Sequence, residues 1–272
     1  MNDKRIKYML NAAGLLICAL WLVPLVWMVI TAFKPDTAQA APFLIPSVTL
    51  DNFKDVLHHP QANVGLWILN STVVAVLTTA GVLILCTLAA FAFSRLQFAG
   101  KTLWFILIMA GLMIPREATL IPLYILFKDM NLLNTYFSII APSLAAPFGL
   151  IIMKQFFDGL PEQLFEAAKL DGCGLFRTLF VIAIPLTKPA LASLGIFIFL
   201  AGWNDFLWPF LSVTDPKMVT IPIGLPVFRS QYLTGQGLTM AASALLSAPI
   251  IIVFIWFQKY IVKGIAMTGI KG

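Results

Sequence analysis

Residues 166–189 read EAAKLDGCGLFRTLFVIAIPLTKP, and this stretch decides the fold because it interrupts a chain that otherwise consists largely of apolar runs. It carries the charged residues Glu166, Lys169, Asp171, Arg177 and Lys188, and an apolar run long enough to cross a membrane lies on each side of it. Charged side chains are costly inside a bilayer. We therefore predict that the stretch lies outside the membrane, between two spans.

The pattern within this stretch predicts two short helices joined by a sharp bend. The alanine pair after Glu166 favours a helix and leaves a thin face that a partner can approach closely. Asp171-Gly172 ends the first helix, with the glycine in the left-handed conformation. The second helix runs from about Leu175 to Ile182 and ends before Pro185.

The composition of the whole chain indicates that its solvent is lipid. Hydrophobic residues make up 60% of the 272 residues and charged residues 11%, whereas a soluble domain carries about 25% charged residues. The positive charges are not clustered into a basic face, so we predict no nucleic-acid partner. The three cysteines have no CxxC spacing, and the two histidines, His58 and His59, are adjacent in a predicted loop. We therefore predict no disulfide framework and no metal site.

Six apolar runs are each long enough for a membrane helix, which needs about 20 residues. We predict an all-α membrane protein in which residues 1–272 form a single transmembrane domain. A segment of about 158–185 lies on one side, and loops of about 34–67 and 212–239 lie on the other, the first with a short surface helix at Asp51–Leu57. The predicted spans are Leu10–Phe33, Ile68–Phe93, Thr102–Phe127, Tyr136–Phe157, Leu186–Phe206 and Met240–Phe257.

The distribution of basic residues predicts the orientation. Of the 18 Lys and Arg residues, about 12 fall on the side of the two termini and of residues 158–185, and about 5 on the other side, while cytoplasmic segments carry the excess of positive charge. The termini and residues 158–185 are therefore predicted to be cytosolic, and the loops 34–67 and 212–239 external.

The order Glu-Ala-Ala, Gly172 and Ile184-Pro185 resembles the EAA loop of the membrane subunits of binding-protein-dependent ABC importers. The resemblance covers most of the chain. Met113–Tyr136, Trp203–Pro209 and Lys263–Gly272 are similar to the sugar-transporting branch, in particular to the smaller permease of maltose-type and glycerol-3-phosphate-type systems. It implies the type I ABC importer permease fold, in a bacterial inner membrane, with a cytosolic coupling helix.

The resemblance also implies the partners of the chain. They are a second homologous permease, two ATPase subunits, an external solute-binding protein and a carbohydrate substrate, within membrane lipid. ATP and Mg²⁺ are expected on the ATPase subunits, with no cofactor and no catalytic residue on this chain. Gly100-Lys101-Thr102 matches only the end of a phosphate-binding loop, because Arg95 stands where the earlier glycine belongs and no strand precedes it.

Two sets of candidate residues follow from the resemblance. The EAA loop docks into a cleft on the ATPase subunit, with Glu166 as the best candidate for a charged contact, whereas Asp171 equally fits a local helix cap. The loop 212–239 probes the binding protein. The coupling candidates are Glu166, Ala167, Ala168, Asp171, Gly172 and Pro185, and the candidates for contact with the binding protein are Phe228, Gln231, Tyr232 and Gln236.

A third set of candidate residues lies inside the apolar runs, and we predict that these residues line the translocation pathway. Sugars are held by polar side chains and aromatic rings, and Trp203-Asn204-Asp205 offers both, although an interfacial aromatic belt is an alternative interpretation of the tryptophan. Arg116 and Glu117 point about 100° apart on a helix, so we predict that Arg116 pairs with Asp205 or with an acid of the companion permease. An ion pair without solute contact is the alternative role.

Two other functions remain open from the sequence. A permease of the same family for a non-sugar solute, such as glycerol phosphate, fits the same motifs. A membrane enzyme or scaffold is the second alternative, but an enzyme needs a convergent cluster of His, Asp, Glu or Cys, and the pattern predicts none.

Overall fold

The computed structural model describes residues 2–35, 47–229 and 236–269, and the regular elements in these ranges are helices, with no strand among them. The all-α prediction is confirmed. The helices are α1 (Asn2–Ala32), α2 (Asp51–Leu57), α3 (Val64–Arg95), α4 (Lys101–Ala110), α5 (Arg116–Asp129), α6 (Tyr136–Leu144), α7 (Pro147–Asp158), α8 (Glu162–Leu170), α9 (Leu175–Leu186), α10 (Lys188–Trp203), α11 (Leu207–Ser212), α12 (Ile221–Gly224) and α13 (Gln236–Gly269).

Within the described ranges, three helices are long and apolar enough to cross a membrane without interruption, and they match the first, second and sixth predicted spans. They are Ile6–Ala32 of α1, all of α3, and Gln236–Trp256 of α13. Pro24 and Pro249 lie inside α1 and α13 without ending them.

The third and fourth predicted spans are broken helices, so the prediction of one helix for each is wrong, whereas the fifth is one helix with a sharp bend at its start. The pairs α4 and α5, α6 and α7, and α9 and α10 are bent by 99°, 49° and 80°. Prolines explain the first two breaks, because Pro115 and Pro147 disfavour helical backbone at the residue before them, and Ala146 has φ −118° and ψ 74°. The described residues therefore hold up to six spans when each bent pair counts as one.

Helix α9 is longer than the sequence predicted, because it continues through Pro185 to Leu186. A π-helical turn at Thr178–Ala183 precedes the proline. An α-helical turn brings the proline ring against the carbonyl four residues earlier, and the wider π turn relieves that contact. The bend to α10 falls at Thr187 instead, so the fifth span begins at Lys188 rather than at Leu186 and ends at Trp203.

The described chain forms two compact units, Met1–Gly65 with Gly224–Pro249, and Leu66–Ile223 with Ile250–Gly272. In the first unit, α2 has the bounds that the sequence predicted. The buried Asn52 amide fixes it by donating to the carbonyls of Ala32 and Lys34 at 2.9 and 2.8 Å. The prediction that residues 1–272 form a single domain stays a prediction.

The core of the second unit is a cluster of side chains from α3, α7, α9 and α10. Close packing in this cluster depends on Gly149, because a methyl group added there would lie 2.9 Å from Cys86 Sγ and 3.4 Å from Leu194. Small residues let membrane helices approach closely. The fully packed members are Val82, Cys86, Ala90, Phe91, Phe93, Leu150, Met153, Phe157, Leu179, Ala183, Ala190 and Leu194.

The segment after α11 is fixed to the start of α3 by polar contacts. The buried Asn70 amide donates to the carbonyls of Lys217 and Val219 at 2.9 Å each, and its oxygen accepts a 2.6 Å bond from the Tyr136 hydroxyl. Both predicted external loops are shorter than expected, because α3 begins at Val64 and α13 at Gln236.

Candidate functional site

A cavity of about 600 Å³ lies in the second unit at the places where helices break or end. The break between α4 and α5, the break between α6 and α7, and the C-terminal end of α10 all contribute to its wall. Irregular backbone at membrane depth is tolerated where it is buried in protein or lines a cavity. The lining residues include Thr78, Gly111, Ile114, Arg116, Thr119, Leu123, Ser143, Ala145, Gly202, Asp205 and Trp208.

An ion pair lies in the wall of this cavity. Arg116 Nη2 donates to Asp205 Oδ2 at 2.7 Å, and the side chains are 59% and 14% exposed respectively. The predicted pairing of these residues is confirmed. Their expected placement inside helices is wrong, because Arg116 is the first residue of α5 and Asp205 lies between α10 and α11.

The remainder of the wall combines hydroxyl groups with an apolar surface. The Thr119 hydroxyl donates to the Arg116 carbonyl at 2.8 Å and so fixes the first turn of α5. Trp208 is 1% exposed, and its indole N–H donates to the Ser138 carbonyl at 2.7 Å. Sequence reasoning did not single out Trp208, although its position three residues after Asp205 was a usable signal.

The other pathway candidates do not line the cavity. Trp203 is 4% exposed and stacks on Phe199 with ring centroids 5.7 Å apart, while the Asn204 amide donates to the Leu200 carbonyl at 2.8 Å. Glu117 is exposed beside Arg116 but points elsewhere. The reason is helical geometry, since neighbouring residues project about 100° apart and cannot share one face.

The EAA segment has the bend that its sequence predicted. Gly172 closes α8 with φ +72°. Its N–H donates to the Lys169 carbonyl at 3.1 Å, and the Cys173 N–H donates to the Ala168 carbonyl at 2.8 Å. These two bonds form a Schellman motif, in which glycine is favoured because it has no Cβ.

Comparison with known proteins assigns the chain to a family. Residues 87–267 match the family described as the binding-protein-dependent transport system inner membrane component. This match covers more than half of the 272 residues. The chain belongs to this family.

Several transport permeases are similar to this family member over most of their length. It is 33% identical to the trehalose/maltose transport system permease protein of Thermococcus litoralis over 100% of both chains. It is 31% identical to the arabinooligosaccharides transport system permease protein of Halalkalibacterium halodurans over 98% of this chain and 97% of that one. It is 29% identical to the diacetylchitobiose uptake system permease protein of Streptomyces coelicolor over 97% of this chain and 89% of that one.

The fold of this permease also occurs among solved structures. A chain of a bacterial ABC transporter involved in the import of the acidic polysaccharide alginate superposes with a TM-score of 0.82 at 22% identity, covering 96% of this chain and 98% of that one. At this identity the likeness shows the fold alone. The chain is thus a multi-pass membrane permease with the ABC transporter permease fold.

In the permease, the coupling candidates differ in exposure. Glu166, Ala167, Asp171 and Gly172 are exposed. Ala168 is 4% exposed, so the prediction that both alanines leave a face for a partner is wrong for this residue, which faces its own chain. Pro185 is exposed, but it lies inside α9 and not at the end of that helix.

Two exposed apolar side chains beside the coupling candidates were missed. Leu170 is 88% exposed and Phe176 73% exposed, on either side of the bend. Both residues stand in the most polar part of the sequence, and that contrast was the signal that could have found them.

The binding-protein candidates are only partly within the described residues. Phe228 is 1% exposed and packs edge-on against His59 with ring centroids 5.2 Å apart, so the expected contact with a partner is wrong for this residue. Gln236 is the first residue of α13 rather than a loop residue. Gln231 and Tyr232 lie outside the described residues.

Proposed function

We propose that this chain is one of two permease subunits of an ATP-driven importer and forms half of the pathway for a carbohydrate that a solute-binding protein delivers. The cavity that holds the pair Arg116–Asp205 carries this proposal. Its position at helix breaks is typical of substrate sites in transporters. The names of the similar permeases, which transport arabino-oligosaccharides, trehalose or maltose, and diacetylchitobiose, support a carbohydrate substrate.

The wall of the cavity suits a sugar chemically. A sugar hydroxyl both donates and accepts hydrogen bonds, and the pair offers the guanidinium N–H groups of Arg116 and the carboxylate of Asp205. The lining hydroxyls Thr119 and Ser143 add weaker partners, and Ile114 and Leu123 add apolar surface. Such a mixture of a mostly apolar wall with a few polar groups is typical of small-molecule sites.

Transport is driven in this proposal by ATP hydrolysis on separate subunits. The exposed residues of α8 and the bend at Gly172 form the contact with an ATPase subunit, and Glu166 supplies the charge at that contact. The excess of basic residues supports a cytosolic location for α8 and for both termini. ATP binding to the ATPase subunits then moves α8, and this movement changes the cavity.

A second candidate function is the import of a solute that carries a phosphate group. The 59% exposed guanidinium of Arg116 favours it, because arginine binds phosphate with two parallel hydrogen bonds. The carboxylate of Asp205 at 2.7 Å opposes it, since it neutralises the cation and repels a phosphate. The neutral sugar is therefore the better-supported substrate.

Transport by the purified complex tests the proposal. An affinity tag on this chain is expected to recover a second permease and an ATPase, and in proteoliposomes the loaded binding protein stimulates both ATP hydrolysis and uptake of a radiolabelled oligosaccharide. Malto-, arabino- and chito-oligosaccharides are compared with glycerol phosphate.

Ser143→Ala lowers the uptake rate, whereas Ser247→Ala, which removes a hydroxyl outside the cavity, leaves it unchanged. A tagged chain without ATPase, or uptake of glycerol phosphate alone, contradicts the proposal.

A further inference from the structure

Helix α8 is held to the rest of its unit by very few side chains. Of its nine residues, Ala168 is buried, Phe165 is half-buried and the other seven are exposed. The link to α7 is the short turn Gly159–Pro161. A helix with so little packing transmits a movement only through the contacts that it does make.

The aromatic contacts of α8 join Phe165 to α3. The guanidinium of Arg95 lies over the Phe165 ring, 4.0 Å from the ring centroid. The centroids of the Phe91 and Phe165 rings are 6.4 Å apart. Phe91 and Arg95 are four residues apart and therefore project from the same face of α3. A cation held over an aromatic ring is attracted to it electrostatically.

Arg95 also binds the end of α7. Its Nη2 donates to the Phe157 carbonyl and to the Leu160 carbonyl, the latter at 2.9 Å. A cation at the C-terminal end of a helix is favoured by the helix dipole. The neighbouring Ser94 hydroxyl donates to the Asp158 carboxylate at 2.7 Å, so the ends of α3 and α7 are joined at two points.

We propose that Arg95 is the positioning residue that joins the coupling helix to the membrane helices. Arg95 is the last residue of α3, and its planar guanidinium contacts α8 through Phe165, α7 through the Phe157 carbonyl and the following turn through the Leu160 carbonyl. A displacement of α8 by an ATPase subunit therefore moves the cytosolic ends of α3 and α7 with it, rather than being absorbed by the turn Gly159–Pro161. This inference rests on the proposed function, since it assigns a driven movement to α8.

The residue type explains why lysine cannot replace arginine here. Lysine keeps the charge but has neither the planar group that stacks on a ring nor the fork that reaches two carbonyls. Lys154 is the matched control, because it is a nearby cation on α7 whose partners, Asp158 at 2.6 Å and the Phe105 ring at 5.6 Å, both lie outside α8.

Uptake per ATP hydrolysed, measured in the reconstituted complex, is the decisive readout. We expect Arg95→Lys to assemble and hydrolyse ATP, with transport per ATP lowered about fivefold or more, the range of typical coupling effects. Phe165→Leu should give the same loss, and the double variant should be no worse than either single one. Lys154→Met should leave the ratio unchanged. An unchanged ratio in Arg95→Lys, additive losses in the double variant, or an equal loss in Lys154→Met would overturn the proposal.

A distance measurement keeps this inference separate from the proposed function. Spin labels at the exposed positions Leu88 on α3 and Gln163 on α8 should give one narrow distance distribution in the full chain. Arg95→Met should broaden it, and Lys154→Met should not. An unchanged distribution in Arg95→Met refutes the anchoring role even if transport fails. If the wild-type chain shows the narrow distance distribution but neither binds an ATPase nor transports solute, the proposed function is refuted and the anchoring role of Arg95 is not.

Discussion

At the scale of single residues, Arg116 and Asp205 show what a sequence pattern can and cannot locate. A charge in a span must find a partner, so the pairing itself was predictable. The exposure of the two side chains, 59% and 14%, was not, because it depends on which neighbouring helices break beside them. The same limit applies to Trp203 and Phe228, whose rings were expected to face a solute and a partner and are instead buried.

Exchanging the two charges tests the pair directly. Arg116→Asp and Asp205→Arg each place like charges at a 2.7 Å contact. Such a contact costs several kcal/mol, so we expect the uptake rate to fall at least about tenfold. The double exchange restores the attraction and part of the uptake. Lys128→Asp, at the far end of α5 and outside the cavity lining, should have little effect.

Failure of the double exchange to restore any uptake, with all three variants assembled normally, would show that the attraction between these residues is not what transport requires. Solute contact by one of the two side chains would then be the remaining explanation.

At the scale of helices, the positions of the breaks determine the architecture more than the lengths of the helices do. Apolar runs of sufficient length were enough to predict six spans, yet two of them are broken by bends of 99° and 49°, and a third bend, of 80°, lies at the start of the fifth. Proline at 115 and 147 gave a local signal for two of these bends. The third falls at Thr187 rather than at Pro185, because a π turn lets α9 continue through the proline.

Gly172 supports a prediction at this scale. Its φ of +72° is unfavourable for other residues, although nothing lies within 4 Å of a Cβ placed there. A left-handed conformation costs an L-residue roughly 1–2 kcal/mol, and a β-branched residue adopts it least easily. We therefore expect Gly172→Val to re-aim α8 and to abolish the stimulation of ATP hydrolysis by the binding protein, with normal amounts of chain in the membrane.

Two controls separate backbone conformation from side-chain size in this experiment. Gly172→Asn should retain most of the stimulation, since asparagine tolerates a positive φ. Gly174→Val introduces the same side chain two residues later, where φ is −70° and the space is open, and should be nearly neutral. Normal stimulation in Gly172→Val would show that the bend is not needed for coupling.

At the scale of the whole molecule, the basic residues predict which face of the membrane each segment meets. Single cysteines are introduced after replacement of Cys18, Cys86 and Cys173, with Cys86→Ala chosen because that position is buried. We expect cysteines at Ala99 and Gly174, both exposed, to react with an impermeant maleimide only from the cytosolic side. A cysteine at Asp129, the exposed last residue of α5, should react only from outside. Labelling of Gly174 from outside would contradict both the orientation and the contact with an ATPase.

The sequence by itself determined the class of the protein, the number of spans and the position of the bend at Gly172, and it limited the partner of Arg116 to Asp205 or an acid of the companion permease. These properties follow from local rules, namely hydropathy, charge placement and the conformational freedom of glycine. Only the tertiary structure decided that α9 continues through Pro185 to a bend at Thr187, which side chains line the cavity, and that Arg95 joins α8 to α3 and α7. The physical reason is that burial and side-chain direction depend on neighbours that are distant in the chain, such as Asp205, which lies 89 residues from Arg116, and Val219, which lies 149 residues from Asn70.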